Sequence, residues 1–288
     1  MEKYVLKTDF ASGVSDLAAE RRRADTEIRG VEFRRDRADV GGWERLRITS
    51  PEGARSIGRP MGIYDTLNLP PLCEMDCDEI DDAKNEVAKE LCRICDARGI
   101  SPERILVVGL GCRALTPDAI GPLSAEAVKP TMHVRKEDER LFYSLECSEI
   151  AVIKPGVTAE SGLSAAEVVA DISRRMMPDV IFAIDSLAAA SPIRLAKTIQ
   201  ICDTGIHPGA GIGRMRGEIS ERTTGVPVIG IGVPTVINSR LFVVENGEAR
   251  APSRSEGLFL CPQTVGEVVT VGAKIIGGGI NQAFGIEF

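Results

Sequence analysis

The sequence predicts an α/β fold: a mainly parallel twisted sheet with helices on both faces. Three observations predict it. Apolar runs such as ILVVGLG (105 to 111) and DVIFAID (179 to 185) are unbroken, as strands buried on both faces require. Helical patterns separate these runs, which is the alternation that parallel strands need for their crossovers. Only 4% of residues are aromatic, whereas 29 glycines and 16 prolines suit the many tight strand-to-helix turns of such folds better than an aromatic-rich sandwich. A chain of 288 residues can bury one large core, and residues 10 to 288 read as a single α/β domain in which 10 to 80 form a peripheral arm and added strands.

In chain order, the first 55 residues are charged and weakly periodic, with short strands expected over 30 to 33 and 45 to 49. DDAKNEVAKELCRICDARG (81 to 99) carries Val87, Leu91, Ile94 and Cys95 at helical spacing and closes at Gly99. ILVVGLG then runs into a glycine turn, after which Thr116-Pro117-Asp118 supplies an N-cap, a first-turn proline and a first-turn acid for a helix reaching 128. GLSAAEVVADISRRMM (162 to 177) is a helix stopped by Pro178, and the strand at 179 to 185 follows. TIQIC (198 to 202) and VPVIGIG (226 to 232) complete the strands, and QTVGEVVTVGAKIIGGGINQAF (263 to 284) is a glycine-softened terminal helix. Ligands on such sheets bind beyond the carboxyl ends of the strands, so the turns at 109 to 121, 185 to 192 and 203 to 213 mark the expected site edge.

Charge and composition exclude several classes. Thirty-five basic against 42 acidic residues give a net charge of −7, and the basic residues are scattered, so no concentrated face for nucleic acid is expected. MEKYVLKTDF lacks the apolar core of a signal peptide, and VPVIGIGVPTVI (226 to 237) is too short and proline-broken to span a bilayer. A cytoplasmic location follows as an expectation, in which the eight cysteines stay reduced. Cys73-x3-Cys77 and Cys92-x2-Cys95 have a spacing that could assemble zinc, although cysteines three apart in a helical pattern also serve as small apolar residues. The loops GLGCRALTPDAIGP and GAGIGRMR match neither the dinucleotide nor the P-loop pattern, so no nucleotide cofactor is expected.

Three aspartates stand at the site edge. Asp203-Thr204-Gly205 has the triplet of pepsin-like proteases, but those are all-β, and the same triplet is ordinary turn chemistry in which Asp bonds its own backbone and Gly supplies positive φ. Asp118 reads either as a site acid or as a carboxylate at a helix N-terminus. Asp185 ends a wholly apolar strand and precedes the small residues Ser186 to Ala190, so a charge there needs a partner or a task. Of the two histidines, His133 and His207, the second lies in the glycine loop after 202 as a proton carrier, a metal ligand or a backbone-bonded loop residue. Gly109, Gly111 and Gly205 would let backbone amides approach a substrate.

LVVGLG, TPDAIGP, KPGV, PDVIFAIDSLAA, TIQICDTGIHPGAGIG and TTGVPVIGIGVPTV, in this order, resemble the germination protease of spore-forming bacteria, from about residue 59 onward and most densely over 105 to 236. The resemblance implies an aspartic-type endopeptidase of non-pepsin fold that starts the degradation of small acid-soluble spore proteins, located in the spore core and assembled as a homotetramer. It implies that Asp118 and Asp185 are catalytic, with Asp203, His207 and the three glycines in support. It further implies a zymogen: Thr8-Asp9-Phe10-Ala11-Ser12 is similar to the family's cleavage sequence, so the Asp9-Phe10 bond is the expected processing site and 1 to 9 the propeptide. TDFAS could equally open a helix over 14 to 23. Cys112 stands where the family usually has Asn, and Ala190 where it has Arg.

The fold implied is also similar to that of hydrogenase maturation peptidases, which leaves a metal-assisted alternative on Asp118, Asp185 and His207. If the two carboxyls meet within about 4 Å, their repulsion is about 4 kcal/mol at an effective dielectric near 20, enough to keep one proton between them. Beyond about 7 Å that coupling weakens, and a bridging metal would suit the geometry better. An acid-preferring cleavage needs a basic group, for which Arg194, Lys197, Arg214 and Arg216 are candidates.

Overall fold

The computed structural model describes residues 28–189, 191–209, 217–239 and 258–286. Nine strands form one sheet. In chain order they are β1 (Val31–Arg37), β2 (Gly42–Ile48), β3 (Gly62–Asn68), β4 (Arg104–Gly109), β5 (Glu149–Ile153), β6 (Val180–Ala189), β7 (Thr198–Cys202), β8 (Val228–Asn238) and β9 (Phe259–Leu260). Their spatial order is β1-β2-β3-β7-β8-β6-β4-β5, with β9 beside the end of β8. The expected α/β class holds, and within it the sheet is mixed. Strands β8, β6, β4 and β5 run parallel, whereas β7, β3, β2 and β1 extend the sheet antiparallel and β9 joins β8 antiparallel.

Alternation along the central strands explains why they read as continuous apolar runs. Ile105 and Val107 of β4, with Val180, Phe182 and Ile184 of β6, enter one core cluster; Leu106, Val108, Ile181 and Ala183 enter the other. Both faces are buried, so no position is left for a polar residue. The first face is covered by three long or close-packed helices: α2 (Cys77–Ala97), α3 (Ile120–Ala127) and α9 (Val265–Phe284). Over the second lie α1 (Pro51–Ile57) and α7 (Ala165–Met176). The short helices α4 (Met132–Glu137), α5 (Glu139–Ser144), α6 (Thr158–Ser161) and α8 (Glu221–Thr224) fill connections.

Two boundaries differ from expectation for identifiable reasons. Helix α2 begins at Cys77 because Asp76 and Glu79 form a capping box: the Asp76 carboxylate accepts from Glu79 N at 2.9 Å and the Glu79 carboxylate from Asp76 N at 3.1 Å. The helix expected to begin at Thr116 is divided. Thr116–Asp118 make a single 3-10 turn without a side-chain cap, and α3 starts at Ile120.

The terminal helix is a core element. Its Gly277 and Gly279 face α3 and α2 so closely that a Cβ would stand 2.5 Å from Ala127 Cβ and 2.7 Å from Val87 Cγ1. Its apolar, glycine-rich face is therefore spent on packing within the chain. Among the described residues no helix is long and apolar enough to cross a membrane.

The antiparallel extension is pinned to α2 by buried charge. Arg45 of β2 and Arg93 of α2 both bond Asp65 of β3 and Glu90 of α2, and the two carboxylates are almost fully buried. Trp43 Nε1 adds a 2.7 Å bond to Glu86 on the same helix. Burial, then the neighbouring Glu90, pushes the Asp65 carboxyl up to about 8, while Glu90, held by the arginines, is lowered.

A pH dependence follows. Unfolded Asp65 loses its proton near 4 and the folded group near 8, so this residue's contribution is full below pH 4 and declines as pH rises to about 8. Asp65→Asn, which presents an N–H toward Glu90 as the protonated acid does, should flatten that decline in urea unfolding measured from pH 5 to 8; an unchanged slope would show that Asp65 is not its source.

Candidate active site

The site begins where β4 ends. In the parallel register the last β4 to β6 pair is Gly109 with Ile184, and Leu110 N donates to Ile184 O at 2.8 Å before the chain leaves the sheet. Strand β6 continues to Ala189 beside β8, so Asp185 is the first β6 residue with no β4 neighbour. The vacated edge opens into a cavity of about 550 Å³, lined by Asp185 to Ala188, Leu110 to Cys112, Leu115, Pro117, Asp118, Gly156 to Thr158, Ala165, Pro208, Gly209, Thr235, Val236, Phe259 and Cys261. Asp118 and Asp185 therefore line one cavity, although 67 positions separate them in the chain.

Asp118 is held from three directions. Its N–H donates to Leu115 O at 2.8 Å, closing the 3-10 turn. Its Oδ2 accepts from Cys112 N at 2.8 Å, so the carboxylate bonds the glycine turn rather than the N-terminus of α3. The preceding carbonyl, Pro117 O, accepts from the Thr235 hydroxyl at 2.6 Å; Thr235 is fully buried on β8, so this bond ties the loop to the sheet. Asp185 is buried, 4% exposed, and its Oδ1 accepts from Ser186 N at 2.9 Å. Each backbone donor fixes the orientation of the carboxylate oxygen it bonds.

Glycine is required at two points. Gly111 has φ 107°, and a Cβ there would fall on Asp118 O and stand 3.2 Å from the Asp118 carboxyl. Gly121, at the start of α3, lies against Leu110 and Ile184 carbonyls with no room for a methyl. This contact sets the helix down on the strand ends.

Other expected residues are placed elsewhere. Gly109 is packed under α3, where a Cβ would meet Ala125 Cβ at 2.7 Å, and Gly205 serves the bridge between Ile206 and Ile219; neither lines the cavity. Asp203 is also outside it. Its Oδ1 accepts from Ile63 N at 2.7 Å and its Oδ2 from Arg98 at 3.4 Å, so it joins β3, β7 and the end of α2, and burial raises its carboxyl above the usual range. His207 lies beside the wall residues Pro208 and Gly209, with Nε2 4.0 Å from a Glu218 carboxylate oxygen. The metal set Asp118, Asp185 and His207 is not assembled: among the described residues no group of three or more His, Cys, Asp or Glu could hold a metal ion. Nor do Cys73, Cys77, Cys92 and Cys95 make such a group among the described residues.

Of the basic candidates, Arg194 is buried in an ion pair with Glu44 at 2.8 Å, and Lys197 is exposed where β7 begins. Arg214, Arg216, Ala190 and the Asp9-Phe10 bond lie outside the described residues. Sequence reasoning missed the tether at Thr235 and the contact of Cys112 Sγ with Glu160 Oε1 at 3.3 Å. Thr235 sits in an apolar strand run, where a lone hydroxyl is the only signal.

Comparisons with known proteins agree in one direction. The family model described as germination protease matches residues 12–245. A germination protease of Bacillus cytotoxicus is 36% identical over 83% of this chain and 65% of its own length. That of Caldanaerobacter subterraneus subsp. tengcongensis is 37% identical over 81% and 70%, and that of Bacillus mycoides 36% over 88% and 72%. The chain thus spans about two thirds of the relatives' length. A solved [NiFe] hydrogenase maturation protease, HycI of Thermococcus kodakarensis, is similar at 18% identity with TM-score 0.31, covering 63% of this chain and 94% of its own.

The Gly111 geometry gives a direct test. Gly111→Ala should destabilise the protein by about 1 to 3 kcal/mol in urea unfolding, from positive φ and overlap with the Asp118 carbonyl. A variant as stable as the parent would show that the turn relaxes freely.

Proposed function

The chain belongs to the germination protease family, and from that premise we propose that it is an aspartic-type endopeptidase that starts the degradation of small acid-soluble spore proteins at germination. The observation carrying this reading is the meeting of Asp118 and Asp185 in one largely apolar cavity at the carboxyl ends of parallel strands. A peptide bond bound there lies between two acids in surroundings that exclude most water. One carboxylate takes a proton from a water molecule as that water attacks the scissile carbonyl. The other carboxyl, protonated, hydrogen-bonds the carbonyl oxygen as negative charge develops there and then gives its one proton to the leaving nitrogen. No metal enters this scheme.

The same reading includes a zymogen cut at Asp9-Phe10, a homotetrameric assembly and action in the cytoplasm of the spore. Cleavage after an acid calls for a basic contact. With Arg194 engaged by Glu44, Arg214, Arg216 and Lys197 are the candidates, each in or beside the segments that follow β6 and β7.

Cleavage of a TDFAS-containing peptide tests the proposal. Asp118→Asn and Asp185→Asn should each lower turnover by at least about 100-fold while keeping the parent's circular dichroism. Normal turnover by either variant removes that residue from the mechanism. Turnover should also persist in chelator, and chelator-sensitive cleavage would point instead to metal-assisted hydrolysis.

A further inference from the structure

Strand β6 outlasts its neighbour β4, and this leaves a stretch of its main chain without a strand beside it. In a parallel sheet, alternate residues of a strand bond the neighbour on one side and the residues between them bond the neighbour on the other. Ile184 directs its carbonyl toward β4, where Leu110 N takes it at 2.8 Å. Ser186 and Ala188 follow at the same parity, so their main-chain groups face the same way. The register shift opposite Leu187 and Ala188 falls in β8, where Thr235 is the extra residue, so the alternation along β6 is unbroken. Among the described residues no strand pairs with β6 on that side beyond Ile184.

This edge borders the cavity, which both Ser186 and Ala188 line. Ser186 is half-buried although its hydroxyl oxygen is enclosed, so what it leaves accessible is its backbone and Cβ. Its N–H is taken by Asp185 Oδ1 at 2.9 Å, which draws that carboxylate to the same edge. Next along the edge come the Ser186 carbonyl, the Ala188 N–H and the Ala188 carbonyl: an acceptor, a donor and an acceptor, in the order that a second extended main chain complements. An apolar ligand would leave these groups unpaired, and a small ion would engage one of them. An extended peptide engages all three.

We propose that the substrate binds as an added strand on this edge of β6, its main chain paired with Ser186 and Ala188 in the line that β4 vacates. The assignment rests on the endopeptidase reading above and deepens it. Ser186 and Ala188 hold the peptide by its backbone, and the pairing lays the peptide alongside the Asp185 carboxylate. Recognition of this kind requires the cut segment to be extended, and it leaves side-chain preference to the largely apolar lining of the cavity.

The test leaves the protein unchanged and alters the peptide. In an added strand only every second residue turns its N–H toward β6, where the Ser186 and Ala188 carbonyls accept. Methylating the amide nitrogens of a TDFAS-containing peptide one at a time, the scissile amide excepted, should therefore give an alternating profile. At amides two residues apart kcat/KM should fall about 10-fold or more, mainly through KM, and at the amide between them it should stay within about 3-fold of the unmethylated peptide. A profile without alternation, whether flat or lowered at every amide, overturns the strand pairing. If the unmethylated peptide is not cut, the endopeptidase reading fails and the pairing falls with it; if it is cut and methylation changes nothing, the pairing alone is removed.

Discussion

The site depends on a difference in strand length. Strand β4 stops at Gly109 while its neighbour β6 runs to Ala189, and the last shared pair falls one residue before Asp185. Had β4 continued, its backbone would occupy the edge that Asp185 and Ser186 face, and there would be no cavity. The stop is enforced by packing: Gly121 brings the start of α3 against the carbonyls of Leu110 and Ile184, and Gly109 sits beneath the same helix. Close approach of a helix to strand ends therefore both ends one strand and returns the chain to the level of the next, carrying Asp118 to Asp185.

The rest of the molecule holds that arrangement rigid. Apolar clusters on both faces of the sheet fix β4 and β6 against helices on either side. The terminal helix, through its glycines, presses on α2 and α3 at once, so α3 is clamped between the sheet and α9. A cross-sheet bond from Thr235 to Pro117 then ties the Asp118 turn to β8, two strands away from β4. Interiors packed at this density transmit displacement poorly into new conformations, which keeps two acids from distant parts of the chain in a fixed relation.

Much of the central fold was legible because its signal is local. ILVVGLG and the VIFAI within DVIFAID are apolar at every position, and TIQIC coincides with β7 residue for residue. Strand β3 was not legible. In GIYDTLN the buried Asp65 and Thr66 break the apolar pattern, and Asp65 is acceptable there because Arg45 and Arg93 reach it from 20 and 28 positions away. Strand β5, EIAVI, is short and covered only in part, so its pattern is weak. Within the site, Asp118 and Asp185 could be named from strand-end position and resemblance, while the third aspartate illustrates the limit: Asp203 has the same local setting. Which of the three bonds a backbone N–H across the sheet and an arginine from α2 is decided by residues 63 and 98, which no local pattern connects to it.

The buried and cavity-lining acids discussed above divide by what surrounds them. Asp65, Glu90 and Asp203 meet arginine, and these contacts hold the antiparallel extension and the end of α2 to the sheet. Asp118 and Asp185 instead take backbone N–H groups from residues near them in the chain, Cys112 and Ser186, and stand in a cavity wall. A guanidinium neutralises a carboxylate and fills the space beside it, whereas an N–H orients one oxygen without neutralising the group. Charge alone would have placed all five acids in one class. The cavity separates site from framework: Asp118 and Asp185 line it, and Asp65, Glu90 and Asp203 do not.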